Sequence, residues 1–259
     1  MSNDRQVALI TGASSGMGLV YAERLAKRGY DLILVARRRE RLDELAKRLG
    51  LETDRSVEVV VADLANVVDL SRVEKLLSER EDIDVLVNNA GVGALAPMKV
   101  VSADALENMI KINVVALTRL SHAVLPGFVR RNRGTIINLA SIIAVIPSPA
   151  GAGYSGSKGY VLNFSRSLQM ELAKTNVVVQ TVLPGPVRTE FFGEAKAPFP
   201  DELFMSAEEV VDSALKALDN GELVYFPSLE QKSAWTEFEA ARIALTRELF
   251  KPVRPASQG

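Results

Sequence analysis

Val7-Ala8-Leu9-Ile10-Thr11-Gly12-Ala13-Ser14-Ser15-Gly16-Met17-Gly18 sets a short apolar run directly against a glycine-rich turn. Leu19 to Arg28 then carries a helical pattern that stops at Gly29. Strand, small-residue turn and helix, in that order, make the setting in which a backbone binds a pyrophosphate. Small side chains let the main chain approach, and the helix N-terminus offers amides and the positive end of its dipole. The spacing is Gly-x-x-x-Gly-x-Gly rather than Gly-x-Gly-x-x-Gly, and no Gly-Lys-Ser/Thr ending marks a P-loop. Gly12, Ser14, Ser15, Gly16, Met17 and Gly18 are therefore candidate dinucleotide contacts. The same residues match the Gly-x-Ser-x-Gly nucleophile elbow of α/β-hydrolases. That alternative needs a histidine, and the one His, His122, falls inside a predicted helix. The elbow would also sit in the first strand–helix unit, ahead of any loop able to supply a second oxyanion donor.

Outward from this turn, apolar runs alternate with amphipathic segments. The runs are Val7–Ile10, Leu32–Ala36, Val57–Ala62, Val85–Val87, Thr135–Leu139, Val177–Val182 and Leu223–Phe226. Helices are predicted over Arg38–Leu49, Leu70–Leu77, Ser102–Arg131 and Tyr154–Lys174, and from a capping box at Ser206–Glu209. Continuous rather than alternating apolar runs suit strands covered on both faces. Strand–helix alternation along the chain predicts one parallel, doubly wound α/β sheet. No linker, repeat or low-complexity stretch interrupts it, so residues 1–259 are expected to form a single domain. Trp235, Phe238, Ala241, Leu245 and Leu249 follow helical spacing and predict a C-terminal helical extension over residues 233–250. The tail from Pro252 is expected to be loose.

Composition narrows the chemistry. The 259 residues are 47% apolar and carry a net charge of −1, so no polyanionic or nucleic-acid partner is expected. There is no Cys, which excludes disulfides, thiolate nucleophiles and Cys-based zinc sites. A single His excludes a multi-His metal site, and no metal is expected. Acid–base work falls mainly to Tyr, Lys, Asp or Glu. The N-terminus lacks a signal-peptide layout, and no apolar stretch is read as reaching the roughly 20 residues that span a bilayer. A cytoplasmic location without a membrane partner is expected.

About 20 residues past the glycines, a NAD-binding fold usually carries an acid for the ribose 2′-hydroxyl. Here Val35-Ala36-Arg37-Arg38-Arg39 offers cations instead. Guanidinium binds phosphate in bidentate fashion. Arg37, helped by Arg38, is therefore read as the seat of an adenosine 2′-phosphate, favouring NADP(H) over NAD(H). Arg39 reads as the solvated start of a helix. Downstream, Tyr154-Ser155-Gly156-Ser157-Lys158 places a phenol and an ammonium four residues apart, on one helix face. A nearby cation favours the phenolate, so such a pair can move a proton to or from a carbonyl or alcohol oxygen.

The glycine turn, Asn88-Asn89-Ala90-Gly91, Asn113, Ser141, Tyr154-x-x-x-Lys158 and Pro184-Gly185 occur in one order over residues 7 to 226. In these motifs the chain resembles the short-chain dehydrogenases/reductases. The resemblance implies a Rossmann-type, seven-stranded sheet and oxidoreductase chemistry between a carbonyl and an alcohol. It implies Tyr154 as general acid–base, Lys158 lowering its pKa and holding the nicotinamide ribose, and Ser141 bonding the substrate oxygen. Asn113 would support a water and proton relay through Lys158. Asp63 and Leu64 would border the adenine, with Asn89, Ala90 and Gly91 closing that side. Pro184, Gly185, Val187 and Thr189 would meet the nicotinamide carboxamide. The Ala36-Arg37-Arg38 pattern is similar to the NADP-preferring branch. Some of its members carry a cation where Ser15 stands, and Ala is usual where Gly156 stands. The resemblance also implies a substrate lid at residues 191–206, whose Phe191, Phe192, Phe199 and Phe204 would form an apolar wall. It implies a small-molecule carbonyl or alcohol substrate and a homotetramer or homodimer.

Overall fold

Strands that are buried on both faces dictate this architecture. The computed structural model describes residues 6–147, 151–192 and 199–251. Strands Val7–Thr11 (β1), Asp31–Ala36 (β2), Val57–Val61 (β3), Ile83–Asn88 (β4), Gly134–Leu139 (β5), Val177–Val182 (β6) and Val224–Tyr225 (β7) form a seven-stranded sheet. Their order is β3-β2-β1-β4-β5-β6-β7, with every neighbouring pair parallel. Successive side chains of a strand point to opposite faces. Ala8 and Ile10 of β1, with Leu32 and Leu34 of β2, enter one core; Val7, Leu9, Ile33 and Val35 enter the other. Both sides of each strand are thus apolar, which is why the runs read as continuous.

Helices Gly16–Lys27 (α1), Arg39–Thr53 (α2) and Ala207–Asp219 (α7) supply Tyr21, Leu25, Leu42, Val210 and Val211 to the first core. Val67–Glu79 (α3), Leu117–Arg131 (α5) and Ala152–Glu171 (α6) supply Leu70, Val73, Leu120, Phe128 and Leu168 to the second. The capping box forms as expected: Ser206 and Glu209 each hold the other's backbone N–H at the start of α7.

Three expectations need correction. The helix predicted over Ser102–Arg131 is interrupted. Ala103–Ile110 (α4) passes into a π-helical turn, Lys111–Ala116, before α5. Wide π turns of this kind often occur at functional sites, and this one carries Asn113. Taken together, Ala103–Arg131 is long and apolar enough by length and composition to cross a membrane, contrary to the sequence reading. The π turn joins two segments that are each too short alone, and 44% of the apolar window is buried. Ala116, Leu120, Val124 and Phe128 pack into the second core, so the stretch serves as a core helix. Finally, β7 covers only two of the four predicted residues.

The chain divides into two compact units at Pro227/Ser228. The sheet and the helices named above lie in the first. The second holds Lys232–Leu249 (α8), close to the predicted 233–250. The rings of Trp235 and Phe238 stack within α8 at 5.3 Å, and Arg242 pairs with Glu239.

Candidate active site

A parallel sheet whose strand order reverses leaves a crevice beyond the carboxyl ends of its strands, at the point of reversal. Here the chain winds outward from β1 through β2 to β3, then returns to place β4 on the other side of β1. A cavity of about 710 Å³ opens there. Its walls come from the residues that follow β1 through β6. All the predicted site residues line it except Gly18 and Asn113.

The floor is pinned by polar contacts between β1 and β4. Thr11 Oγ1 donates to Val87 O and accepts from the backbone N–H groups of Asn89 and Ala90. Asn89 Nδ2 donates to Thr11 O and Gly12 O. Asn88 Nδ2 donates to Ser121 Oγ and Asn138 Oδ1, tying β4 to α5 and β5. Thr11 went unassigned in the sequence reading because its value lies in partners 76 to 79 residues away.

Gly12 and Gly16 adopt φ of +67° and +55°, conformations that favour glycine. No side chain caps the first turn of α1, and no acidic residue lies in it. Its amides are therefore uncompensated beside the cavity, which is what a pyrophosphate requires. The arginines divide differently from the expectation. Arg37 is exposed and, among the described residues, makes no hydrogen bond or ion pair. Arg38 is engaged: its guanidinium donates to Ser14 Oγ and Ser15 Oγ and pairs with Glu190 at 2.6 Å. Asp63 Oδ1 accepts from Ala65 N, shaping the turn after β3. Glycine turn, free cation and cavity volume together fit a phosphorylated dinucleotide.

At the opposite end stand Ser141, Tyr154 and Lys158. Ser141 follows β5, and its hydroxyl lies 3.3 Å from Pro184 O. Tyr154 and Lys158 share one face of α6, as their spacing requires, with Lys158 Nζ 5.7 Å from the Tyr154 ring centroid. Lys158 is only 5% exposed, and Nζ donates to Leu139 O at 2.7 Å. Burial pushes the Tyr154 phenol above its ordinary range, opposed only by the hydrogen bond with Ser141. Burial is the larger influence on the phenol, and Lys158 Nζ is directed at Leu139 O. Burial also lowers Lys158 to about 8.

The lowering at Lys158 has a measurable sign. Its folded-state pKa lies below the ordinary 10.5, so between pH 8 and 10.5 the unfolded chain holds a proton that the folded protein has shed. Folding stability from this group therefore rises with pH across that window and is lowest below pH 8. Each pKa unit is worth about 1.4 kcal/mol, so the full change is roughly 3 kcal/mol. Urea unfolding of wild type and Lys158→Met from pH 7 to 10 should show the difference moving in favour of wild type as pH rises. A pH-independent difference would refute the buried-ammonium assignment. Tyr154 is common to both proteins and cancels.

Asn113 sits beneath the cavity, not in its wall. Its amide accepts from Val92 N at 2.9 Å and donates to Val92 O and Ser157 Oγ. The side chain clamps the 89–92 loop to α6. An added Cβ on Gly91 would stand 3.4 Å from Asn113 Oδ1 and 3.6 Å from Lys158 Nζ, so the loop lies directly against both.

The aromatic residues expected to form an apolar wall divide. Phe191 and Phe199 line the cavity, and the Phe191 ring lies 5.6 Å from that of Tyr154. Phe204 does not line it; Arg188 packs over its ring at 5.4 Å. The Phe192 side chain and residues 193–198 lie outside the described residues. Beyond the prediction, Leu95, Ile143, Ile146 and Pro147 add apolar wall. These residues carried no signal, because isolated aliphatic side chains in loops look alike in sequence. Nor does the hydrolase reading find support. His122 is exposed on α5 and does not line the cavity that holds Ser14.

Comparisons with known proteins agree with this geometry. The short chain dehydrogenase family profile matches residues 6–198. The chain is 38% identical over 223 residues to 17-beta-hydroxysteroid dehydrogenase type 3 of Danio rerio, covering 84% of this chain and 71% of that protein. It spans 60% to 71% of the length of the first curated relatives it matches. Among solved structures it superposes on a short-chain dehydrogenase from Sphingobium yanoikuyae in complex with NADPH. That match has TM-score 0.92 and 40% identity, and covers 98% of this chain and 100% of that one. A bulky-bulky ketone specific alcohol dehydrogenase from Comamonas testosteroni gives TM-score 0.88 and 36% identity, with 99% and 98% covered. With profile, relatives and fold in agreement, the chain belongs to the short chain dehydrogenase family of oxidoreductases.

Proposed function

We propose that this protein is an NADP(H)-dependent oxidoreductase that interconverts bulky, apolar ketones and their secondary alcohols. The observation that carries the reading is the layout of one cavity. Its phosphate end holds the uncapped α1 turn and Arg37, which is unpaired among the described residues; its other end is lined by Tyr154, Ser141, Phe191, Phe199, Ile143 and Ile146. A bound dinucleotide would supply the hydride. Arg37 and Arg38 would hold its 2′-phosphate, the α1 turn its pyrophosphate, and Pro184–Thr189 its nicotinamide end.

The chain's own residues handle the proton. In the reducing direction negative charge builds on the substrate oxygen, where Ser141 donates a hydrogen bond and Tyr154 delivers a proton. Tyr154 is protonated at neutral pH, as an ordinary phenol is, and burial raises its pKa further; this is the state that a donor needs. A positioned acid contributes about 10²–10⁴-fold, and one aimed donor roughly 10²–10³. Asn113 keeps the loop and α6 in register beneath them. The similarity to proteins named 17-beta-hydroxysteroid dehydrogenase type 3 and bulky-bulky ketone specific alcohol dehydrogenase supports the substrate class.

Cofactor oxidation across a panel of small aldehydes, sugars, ketoesters, diaryl ketones and steroid ketones tests the reading. Turnover with bulky ketones and NADPH is expected; activity confined to sugars or small aldehydes contradicts the substrate class. Nucleotide binding without turnover on any member would leave a redox-sensing role. In the same assay Arg37→Asp should shift preference toward NADH by about tenfold or more, since it replaces a phosphate-binding cation with a like charge. An unmoved ratio of the two kcat/KM values contradicts the role of Arg37.

A further inference from the structure

The sequence after β2 contains no carboxylate at the ribose position, yet the fold brings one there from the far side of the cavity. Glu190, 152 residues beyond Arg38, bonds Arg38 Nη1 through Oε2 at 2.6 Å. It also bonds Arg41 Nη1 through both oxygens, at 2.6 and 2.9 Å. Arg38 has further contacts with Ser14 Oγ and Ser15 Oγ. Glu190 is the residue between Thr189 and Phe191, and all three line the cavity. Its side chain is 55% exposed, so it can leave without opening a core.

We propose that Glu190 is a specificity-determining residue, an intramolecular competitor for the arginines that would otherwise receive an adenosine 2′-phosphate. This rests on the NADP(H) reading above and deepens it. The partners of Arg38 differ in what they can do when a phosphate arrives. A serine hydroxyl both donates and accepts, so Ser14 and Ser15 can turn and donate to the phosphate. An ionised carboxylate only accepts, and a phosphate carrying close to two negative charges repels it. Glu190 must therefore give up Arg38 before the phosphate is seated. A ribose 2′-hydroxyl makes no such demand, because it can donate to the carboxylate. Glu190 thus weakens NADP(H) binding and leaves NAD(H) binding unopposed, so the NADP preference set by Arg37 and Arg38 is moderated rather than absolute.

Calorimetric titration of NADPH and NADH into wild type, Glu190→Gln and the double variant Arg37→Ala/Arg38→Ala tests this. Exposed ion pairs are weak, so Glu190→Gln should tighten NADPH by roughly three- to tenfold while NADH stays unchanged or weakens slightly. Adenosine 2′,5′-bisphosphate should follow NADPH, and AMP should follow NADH. A general disturbance of the loop would weaken both dinucleotides together. If Glu190→Gln leaves NADPH affinity unchanged or lowers it, while the arginine variant selectively loses NADPH, Glu190 is not a competitor and the NADP(H) reading stands. If the arginine variant leaves the ratio of the two affinities unchanged, both fall.

Discussion

Tyr154→Phe should lower kcat for ketone reduction by about 10²–10⁴-fold while leaving NADPH affinity nearly unchanged. The substitution removes one oxygen and little else. The ring keeps its contact with Phe191 at 5.6 Å, and Lys158 keeps its hydrogen bond to Leu139 O, which does not involve the phenol. The Ser141 hydroxyl is untouched and can turn its one O–H from Pro184 O to the substrate oxygen. What disappears is the phenol that, in the proposed mechanism, delivers the proton. A drop in kcat with little change in the NADPH dissociation constant would locate the loss in chemistry rather than binding. Retained ketone reduction would remove Tyr154 from the mechanism. Equal losses of turnover and cofactor affinity would assign it a structural role instead.

Gly18→Ala is expected to cost at least about tenfold in dinucleotide affinity and to lower the unfolding temperature. Gly18 lies in the first turn of α1 and is fully enclosed by the turn that it closes. A Cβ there would stand 2.3 Å from Gly12 O and 2.4 Å from Asn89 Nδ2. Neither atom is the loose end of a flexible chain. Gly12 O is backbone, and Asn89 Nδ2 is held by Thr11 O and Gly12 O. The helix must therefore move away from β1, and overpacking of this kind costs typically about 1–3 kcal/mol. If strain of that size falls on the proposed pyrophosphate-binding turn, about 1.4 kcal/mol of it is a factor of ten in dinucleotide affinity. Gly156→Ala provides the contrast. Its Cβ meets nothing within 4 Å, so helix propensity alone should make that change neutral or stabilising by up to about 1 kcal/mol. Calorimetric titration with NADPH and thermal unfolding of the two variants compare them directly. Wild-type affinity in Gly18→Ala would show that the close packing of helix and strand does not shape the site.

The legibility of this chain follows from how each feature is encoded. Strands such as Val7–Thr11 are covered on both faces, so their apolar character appears as an unbroken run that needs no knowledge of partners. The glycine turn is readable because φ near +60° at Gly12 and Gly16 restricts the residue type locally. The Tyr154–Lys158 spacing is a helical repeat, and the Ser206–Glu209 cap is a contact across three residues. Each of these depends on atoms within one turn or strand.

Features that depend on distant residues were not readable. The π turn at Lys111–Ala116 carries no motif of its own, and it holds Asn113 against Val92, 21 residues earlier. Phe204 and Phe199 look alike in sequence, yet one packs on Arg188 and the other lines the cavity. Thr11 became a site residue only through β4.

By itself, then, the amino-acid sequence determined the layered sheet, the glycine turn, the cationic end of β2 and the phenol–ammonium pair, because local sterics and burial periodicity govern all four. Tertiary structure alone decided which charges those groups face. Packing removed water from Lys158 and part of it from Tyr154, which moves their pKa values in opposite directions. It also brought Glu190 across 152 residues onto Arg38. Desolvation and charge pairing act through space, over a few ångströms, and chain separation does not report that distance.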